Sequence, residues 1–142
     1  MTDQAETLTV TVERDFPHPP EKVWRALTQP HLIAEWLMPN DFSAEVGHQF
    51  QLKGDWGGTL DCEVLEVDPY ETLSYRWDFP NENPDFDLRS IVTFTLTPTA
   101  SGTNLRMEQA GFRPDQPRAF GGAKYGWQQN FDKLEAVLAK AG

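Results

Sequence analysis

The segment from Asp115 to Lys140 sets the terms for the rest of the chain. At 3.6 residues per turn, Phe120, Trp127, Phe131, Leu134 and Leu138 fall on one narrow stripe. Gln129, Asp132, Lys133 and Lys140 face the other way. This spacing predicts a long amphipathic helix that must bury an aromatic stripe against something broad. Asp115 is placed to cap it, and Pro117 suits a first turn whose amides lack helical acceptors. Gly121, Gly122 and Gly126 run against the pattern, since each costs about 1 kcal/mol relative to alanine inside a helix. They mark either a late start to the regular helix or places where its backbone passes close to another group.

The upstream sequence supplies the broad partner. Leu8, Val10 and Val12 alternate with polar residues, the period of a half-buried strand, and Pro17, Pro19 and Pro20 end it. Pro20 to Thr28 predicts a short helix with Val23, Trp24 and Leu27 on one face, broken at Pro30. Leu32, Ile33, Trp36 and Leu37 predict a second, closed by Pro39.

From Phe42 onward the pattern is strand and turn. Phe50 and Leu52 share one face, Gly54 to Gly58 makes a turn, and Leu60, Cys62 and Val64 share the next face. Apolar parity shifts at Leu65 and Val67, which predicts a bulge. A turn at Asp68-Pro69 precedes Leu73 to Phe79, where every odd position is apolar. Pro80 to Asp87 reads as a solvated loop. Leu88, Val92, Phe94 and Leu96 form another inner row, and Leu105 and Met107 belong to the last strand. Strands joined by short turns predict an antiparallel meander. The fold class is α+β: a curved antiparallel sheet around a long C-terminal helix, two short helices after the first strand, and residues 1–142 as one domain.

Charge and composition narrow the function. The 142-residue chain carries a net charge of −10, which repels phosphate backbones and argues against nucleic acid as a partner. Cys62 is the single cysteine, so neither an intrachain disulfide nor a cysteine-based zinc cluster can form. No apolar run approaches the roughly 18 residues that cross a bilayer, so membrane insertion is not expected. The polar N-terminus lacks the pattern of a signal peptide, which makes the cytoplasm the expected location.

Catalytic signatures are sparse. His18, His31 and His48 sit apart, beside prolines or turns, without the helical spacing of a metal-binding pair. The pairs Asp61/Glu63 and Asp85/Asp87 look solvated rather than held in a cleft that separates their acidities. Cys62 lies on an apolar face, where a thiol packs as a small hydrophobe. No nucleophile elbow, phosphate loop or dinucleotide fingerprint occurs, and no cofactor is expected.

The strongest signal is aromatic. With five tryptophans and nine phenylalanines the chain is rich in large rings, and a set of them falls on the predicted inner faces. Trp36, Phe50, Tyr75, Trp77 and Phe94 point inward by periodicity, as do Met107, Phe120, Trp127 and Phe131. Leu60, Cys62 and Val92 share those rows. One sheet layer and one helix need so many large side chains only if the space between them is wide. Tyr75, Ser90 and Gln109 also lie on inward rows and supply the few polar groups that small-molecule cavities use.

Several stretches also carry a family resemblance. Val12 to Thr28, with its Phe-Pro-His-Pro-Pro-Glu-Lys-Val-Trp core, resembles the opening of the SRPBCC superfamily, also called START or Bet v 1-like. It is closest to the branch named after the activator of the Hsp90 ATPase homologue. Leu32 to Trp36, Asp61 to Pro69, Leu73 to Trp77 and Gly126-Trp127 resemble later landmarks of that branch. The resemblance implies a helix-grip fold with a cavity between sheet and C-terminal helix. Relatives often carry His or acidic residues just before Gly126-Trp127, where this chain reads Gly-Gly-Ala-Lys-Tyr. The leading expectation is a non-enzymatic module that binds a small apolar or aromatic molecule. A cyclase- or hydrolase-type enzyme using the same pocket, and a co-chaperone-like domain with a protein partner, are the alternatives.

Overall fold

The structure, a computed structural model, describes residues 7–54, 57–84 and 87–140. Six strands form one curved antiparallel sheet: β1 (Leu8–Phe16), β2 (Gln49–Lys53), β3 (Thr59–Asp68), β4 (Thr72–Phe79), β5 (Leu88–Thr99) and β6 (Gly102–Phe112). Their order is β1-β6-β5-β4-β3-β2, so β2 to β6 follow the chain and β1 closes beside the last strand. Two short helices, α1 (Pro20–Thr28) and α2 (Pro30–Trp36), carry the chain from one sheet edge to the other. The long helix α3 (Pro117–Lys140) packs across the inner face. This is the helix-grip arrangement.

Periodicity explains the burial. On β4, Leu73, Tyr75 and Trp77 are buried while Arg76 between them is exposed. Val92, Phe94 and Leu96 on β5 and Leu105, Met107 and Gln109 on β6 continue the inner face. Trp127, Phe131, Leu134 and Leu138 of α3 meet it, as their helical stripe requires. Exposed ion pairs join the periphery, Arg14 of β1 with Asp132 at 2.9 Å and Lys140 with Glu35 of α2 at 3.0 Å. Such pairs contribute about 0–1 kcal/mol each, so burial sets the position of α3. The β3–β4 register shifts between Val64 and Glu66, where the apolar parity changes.

Two expectations for the last helix need correction. Asp115 does not cap it: its carboxylate accepts a bond from Arg113 Nε at 3.1 Å, and α3 begins two residues later. Gln116 holds the entry instead, its carbonyl accepting from the Phe120 N–H at 3.1 Å. The glycines mark neither a late start nor a close approach. The helix runs through Gly121, Gly122 and Gly126, and a Cβ at any of them would meet no heavy atom within 4 Å. Geometry demands glycine elsewhere: at Gly111, with φ of +123° and a Cβ that would strike the Arg89 carbonyl, and at Gly102, where a Cβ would strike the Phe16 carbonyl. In the predicted turn from Gly54 to Gly58, residues 55 and 56 lie outside the described residues, as does Asp85 of the Asp85/Asp87 pair.

Candidate functional site

A pocket of about 350 Å³ opens between the first half of α3 and the inner face of the sheet. Its floor is buried: Leu60 of β3, Trp77 of β4, Gln109 and Phe112 of β6, and Trp127 of α3. Its rim is half-buried, formed by Met38, Phe79, Leu88, Ala119, Ala123, Gly126 and Asn130. Ala119, Ala123, Gly126 and Asn130 recur at i, i+4, i+7 and i+11, one helical face. Ala119, Ala123 and Gly126 place little bulk on that face, so the space between helix and sheet there is left open.

One hydrogen-bonded chain fixes the floor. The Trp127 indole N–H donates to Gln109 Oε1 at 2.7 Å. Gln109 Nε2 donates to Ser90 Oγ at 3.0 Å, and the Ser90 hydroxyl donates to the Trp77 carbonyl at 2.6 Å. An indole N–H can only donate, so the amide orientation of Gln109 follows from chemistry. Ser90 and Gln109 thus join the sheet to α3 and lock the Trp127 ring, whose centroid lies 5.2 Å from that of Trp77.

The expected lining residues divide. Leu60, Trp77, Gln109 and Trp127 border the pocket. Phe120 does not border it; half-buried, its ring packs 5.7 Å from that of Phe112. Trp36, Tyr75, Ser90, Val92, Phe94, Met107 and Phe131 lie deeper, inside the packed core. There the rings fill one another's space. Phe50 to Tyr75 is 5.2 Å, Tyr75 to Phe94 is 6.0 Å and Phe94 to Trp127 is 5.8 Å between centroids. Trp36 packs edge-on to Phe94 and donates its indole N–H to the Ala26 carbonyl at 2.8 Å, tying α2 to α1. The rim residues of α3, with Met38, escape an inventory of large inward rings. Their signal is the run of small residues where a core helix would carry large ones.

Two larger depressions differ in kind. One of about 770 Å³ is lined by Pro20, Tyr70, Glu71, Thr97 and neighbours, more than half of them exposed, which makes it a surface hollow. The other, about 510 Å³, lies on the outer face, where Gln49, Gln51, Asp61, Glu63, Arg76 and Asp78 project, with Phe50 and Cys62 beneath. Exposed or polar side chains make up most of the lining of both, unlike that of the pocket under α3. Among the described residues no cluster of three or more His, Cys, Asp or Glu side chains is arranged to hold a metal ion.

The titratable groups fit this division. Burial, aided by the Asp78, Asp61 and Asp41 carboxylates, pushes the Cys62 thiol well above its ordinary range. Burial likewise holds the Tyr75 phenol neutral, with Cys62 adding to the effect. Partial burial and then the Lys22 ammonium, 3.3 Å from its Nδ1, lower His18. The backbone N–H of Asn81 donates to Asp87 and, with Arg89, keeps that carboxyl below its usual range. None of these groups lines the pocket under α3.

A curved sheet gripping a C-terminal helix over such a pocket defines a member of the SRPBCC superfamily. More closely, the chain belongs to the family described as Activator of Hsp90 ATPase homolog 1-like protein, which matches residues 17–139. Among solved structures it is 66% identical to protein MLL2253 from Mesorhizobium loti, with a TM-score of 0.93 over 95% of this chain and 99% of that one. Protein BH1534 from Bacillus halodurans is 26% identical, with a TM-score of 0.79 over 95% and 99%. DynU16, a protein in the dynemicin biosynthetic locus, is 27% identical, with a TM-score of 0.81 over 93% of this chain and 47% of that one. Among curated proteins no sequence matches. No helix among the described residues is long and apolar enough to cross a membrane.

Proposed function

We propose that this protein is a non-enzymatic binding module for a small apolar or aromatic molecule, held between α3 and the sheet. The observation that carries the reading is a pocket of about 350 Å³ with a buried, ring-rich floor on a fixed polar network. That volume lies at the lower end of the roughly 300–1,000 Å³ usual for ligand sites. Its two side-chain amides, Gln109 and Asn130, do not titrate, so the lining favours holding a molecule over acid–base chemistry on it. The likeness to DynU16, a protein of a biosynthetic locus, supports a small-molecule setting.

A protein-partner role receives less support. The large exposed apolar residues, Leu8, Val46, Tyr70, Ile91 and Tyr125, belong to five separate parts of the chain. Native mass spectrometry tests the reading, on the protein as purified and after incubation with a panel of neutral mono- and bicyclic compounds. One-to-one complexes are expected. Bare protein across the whole panel would contradict it.

A further inference from the structure

Building on that binding reading, we propose that the ligand is an uncharged aromatic compound with one hydrogen-bond acceptor, a ketone, aldehyde or ester oxygen, which takes the free N–H of Gln109. Two buried glutamines differ in how their amides are satisfied. Gln116 is 2% exposed, and its Nε2 donates to the carbonyls of Pro84 at 3.1 Å and Asp87 at 2.8 Å. Both of its amide protons are therefore placed. Gln109 is 1% exposed, yet Nε2 makes a single bond, to Ser90 Oγ. Its second N–H has no partner among the described residues, although buried donors are ordinarily satisfied. Gln109 forms part of the pocket floor, where the inner end of a ligand would rest.

The polarity of the partner follows. Gln109 Oε1 already accepts from Trp127, so the floor offers a donor and calls for an acceptor. No charged residue lines the pocket, and burying an unpaired charge there is costly. The net charge of −10 further disfavours an anion. The rings of Trp77 and Trp127, tilted at 49° to one another, with Phe79 and Phe112 beside them, suit a flat aromatic body of one or two fused rings.

Three matched probes test this on the unaltered protein: 2-acetylnaphthalene, 2-ethylnaphthalene and 2-naphthoate. The ketone is expected to bind about tenfold more tightly than the hydrocarbon, which leaves the buried N–H unpaired. The carboxylate should bind more weakly than either. In ¹⁵N–¹H spectra, the ketone alone should displace one of the two Gln109 Nε2–H resonances. Equal affinities for ketone and hydrocarbon, with an unmoved Gln109 amide, would overturn the acceptor assignment and leave the pocket reading standing. Tighter binding of the carboxylate would overturn the requirement for an uncharged ligand. Failure of all three to bind would count against the pocket reading itself and this inference with it.

Discussion

The indole of Trp127 donates to the side-chain carbonyl of Gln109 at 2.7 Å, between two residues that are each at least 98% buried. This bond joins the long helix to the sheet at the floor of the pocket. Removing one partner of a buried bond leaves the other unsatisfied, at about 1–3 kcal/mol.

Gln109→Leu is therefore expected to lower stability by about 1–3 kcal/mol in urea titration. In a Trp127→Phe background, where no indole N–H is stranded, the same change should cost at least about 1 kcal/mol less. Additive costs would show that the pair does not couple helix to sheet.

Gln116, outside the pocket lining, anchors two segments that lead to its rim. Its amide holds the carbonyls of Pro84 and Asp87, and its Oε1 accepts from the Arg113 N–H at 3.2 Å, so one side chain ties the β4–β5 loop to the start of α3. Gln116→Ala should destabilise the protein by about 1–3 kcal/mol. It should also raise amide exchange around Leu88 and Ala119 on the pocket rim. Unchanged exchange there would refute the anchoring role.

The Tyr75 hydroxyl is buried, with no hydrogen-bond partner among the described residues. Replacing such a group by hydrogen removes a desolvation cost without breaking a bond. Tyr75→Phe should leave stability within about 1 kcal/mol of the parent, on the stabilising side. A larger loss would mean that the hydroxyl is satisfied.

Alkaline pH provides an independent check on the core. The fold holds Tyr75 and Cys62 neutral, each with its pKa raised. In the unfolded chain they lose protons at about pH 10 and about 8.5 respectively. The unfolded state then binds fewer protons, so the stability they contribute is fully present below those values and falls as pH rises above them. The Tyr75→Phe, Cys62→Ala double variant should show a shallower decline in urea midpoint between about pH 8.5 and 10.5. Native Cys62 should also react slowly with thiol reagents. A decline unchanged in the double variant, or rapid native labelling, would contradict this account of the core.

Much of the fold was legible because burial imposes the two periods directly. Odd-numbered residues of β4 and the Trp127–Phe131–Leu134–Leu138 stripe face inward as their spacing requires. Even the bulge near Glu66 is visible as a change of parity. The site was less legible because periodicity says which way a ring points, not what fills the space ahead of it. Phe50, Tyr75 and Phe94 point inward and pack on one another, whereas the opening lies where Ala119, Ala123 and Gly126 replace large residues. Asp115 failed as a cap because the helix begins at Pro117, which puts Gln116 rather than Asp115 at its entry.

The central claim, that the space under α3 receives a small molecule, is tested most directly by the melting temperature of the protein against that of Gly126→Leu. A side chain at Gly126 meets nothing within 4 Å at its first carbon and borders the pocket, and leucine is the better helix former. The variant should therefore fold with its pocket filled. A ligand at a hundredfold excess over its dissociation constant stabilises by about 2.7 kcal/mol. For a domain of this size that is a rise of roughly 2–8 °C per kcal/mol. The melting temperature is expected to climb with concentration of an aromatic ketone in the parent and to stay flat in Gly126→Leu. A flat response in the parent, or an equal climb in both proteins, would contradict it.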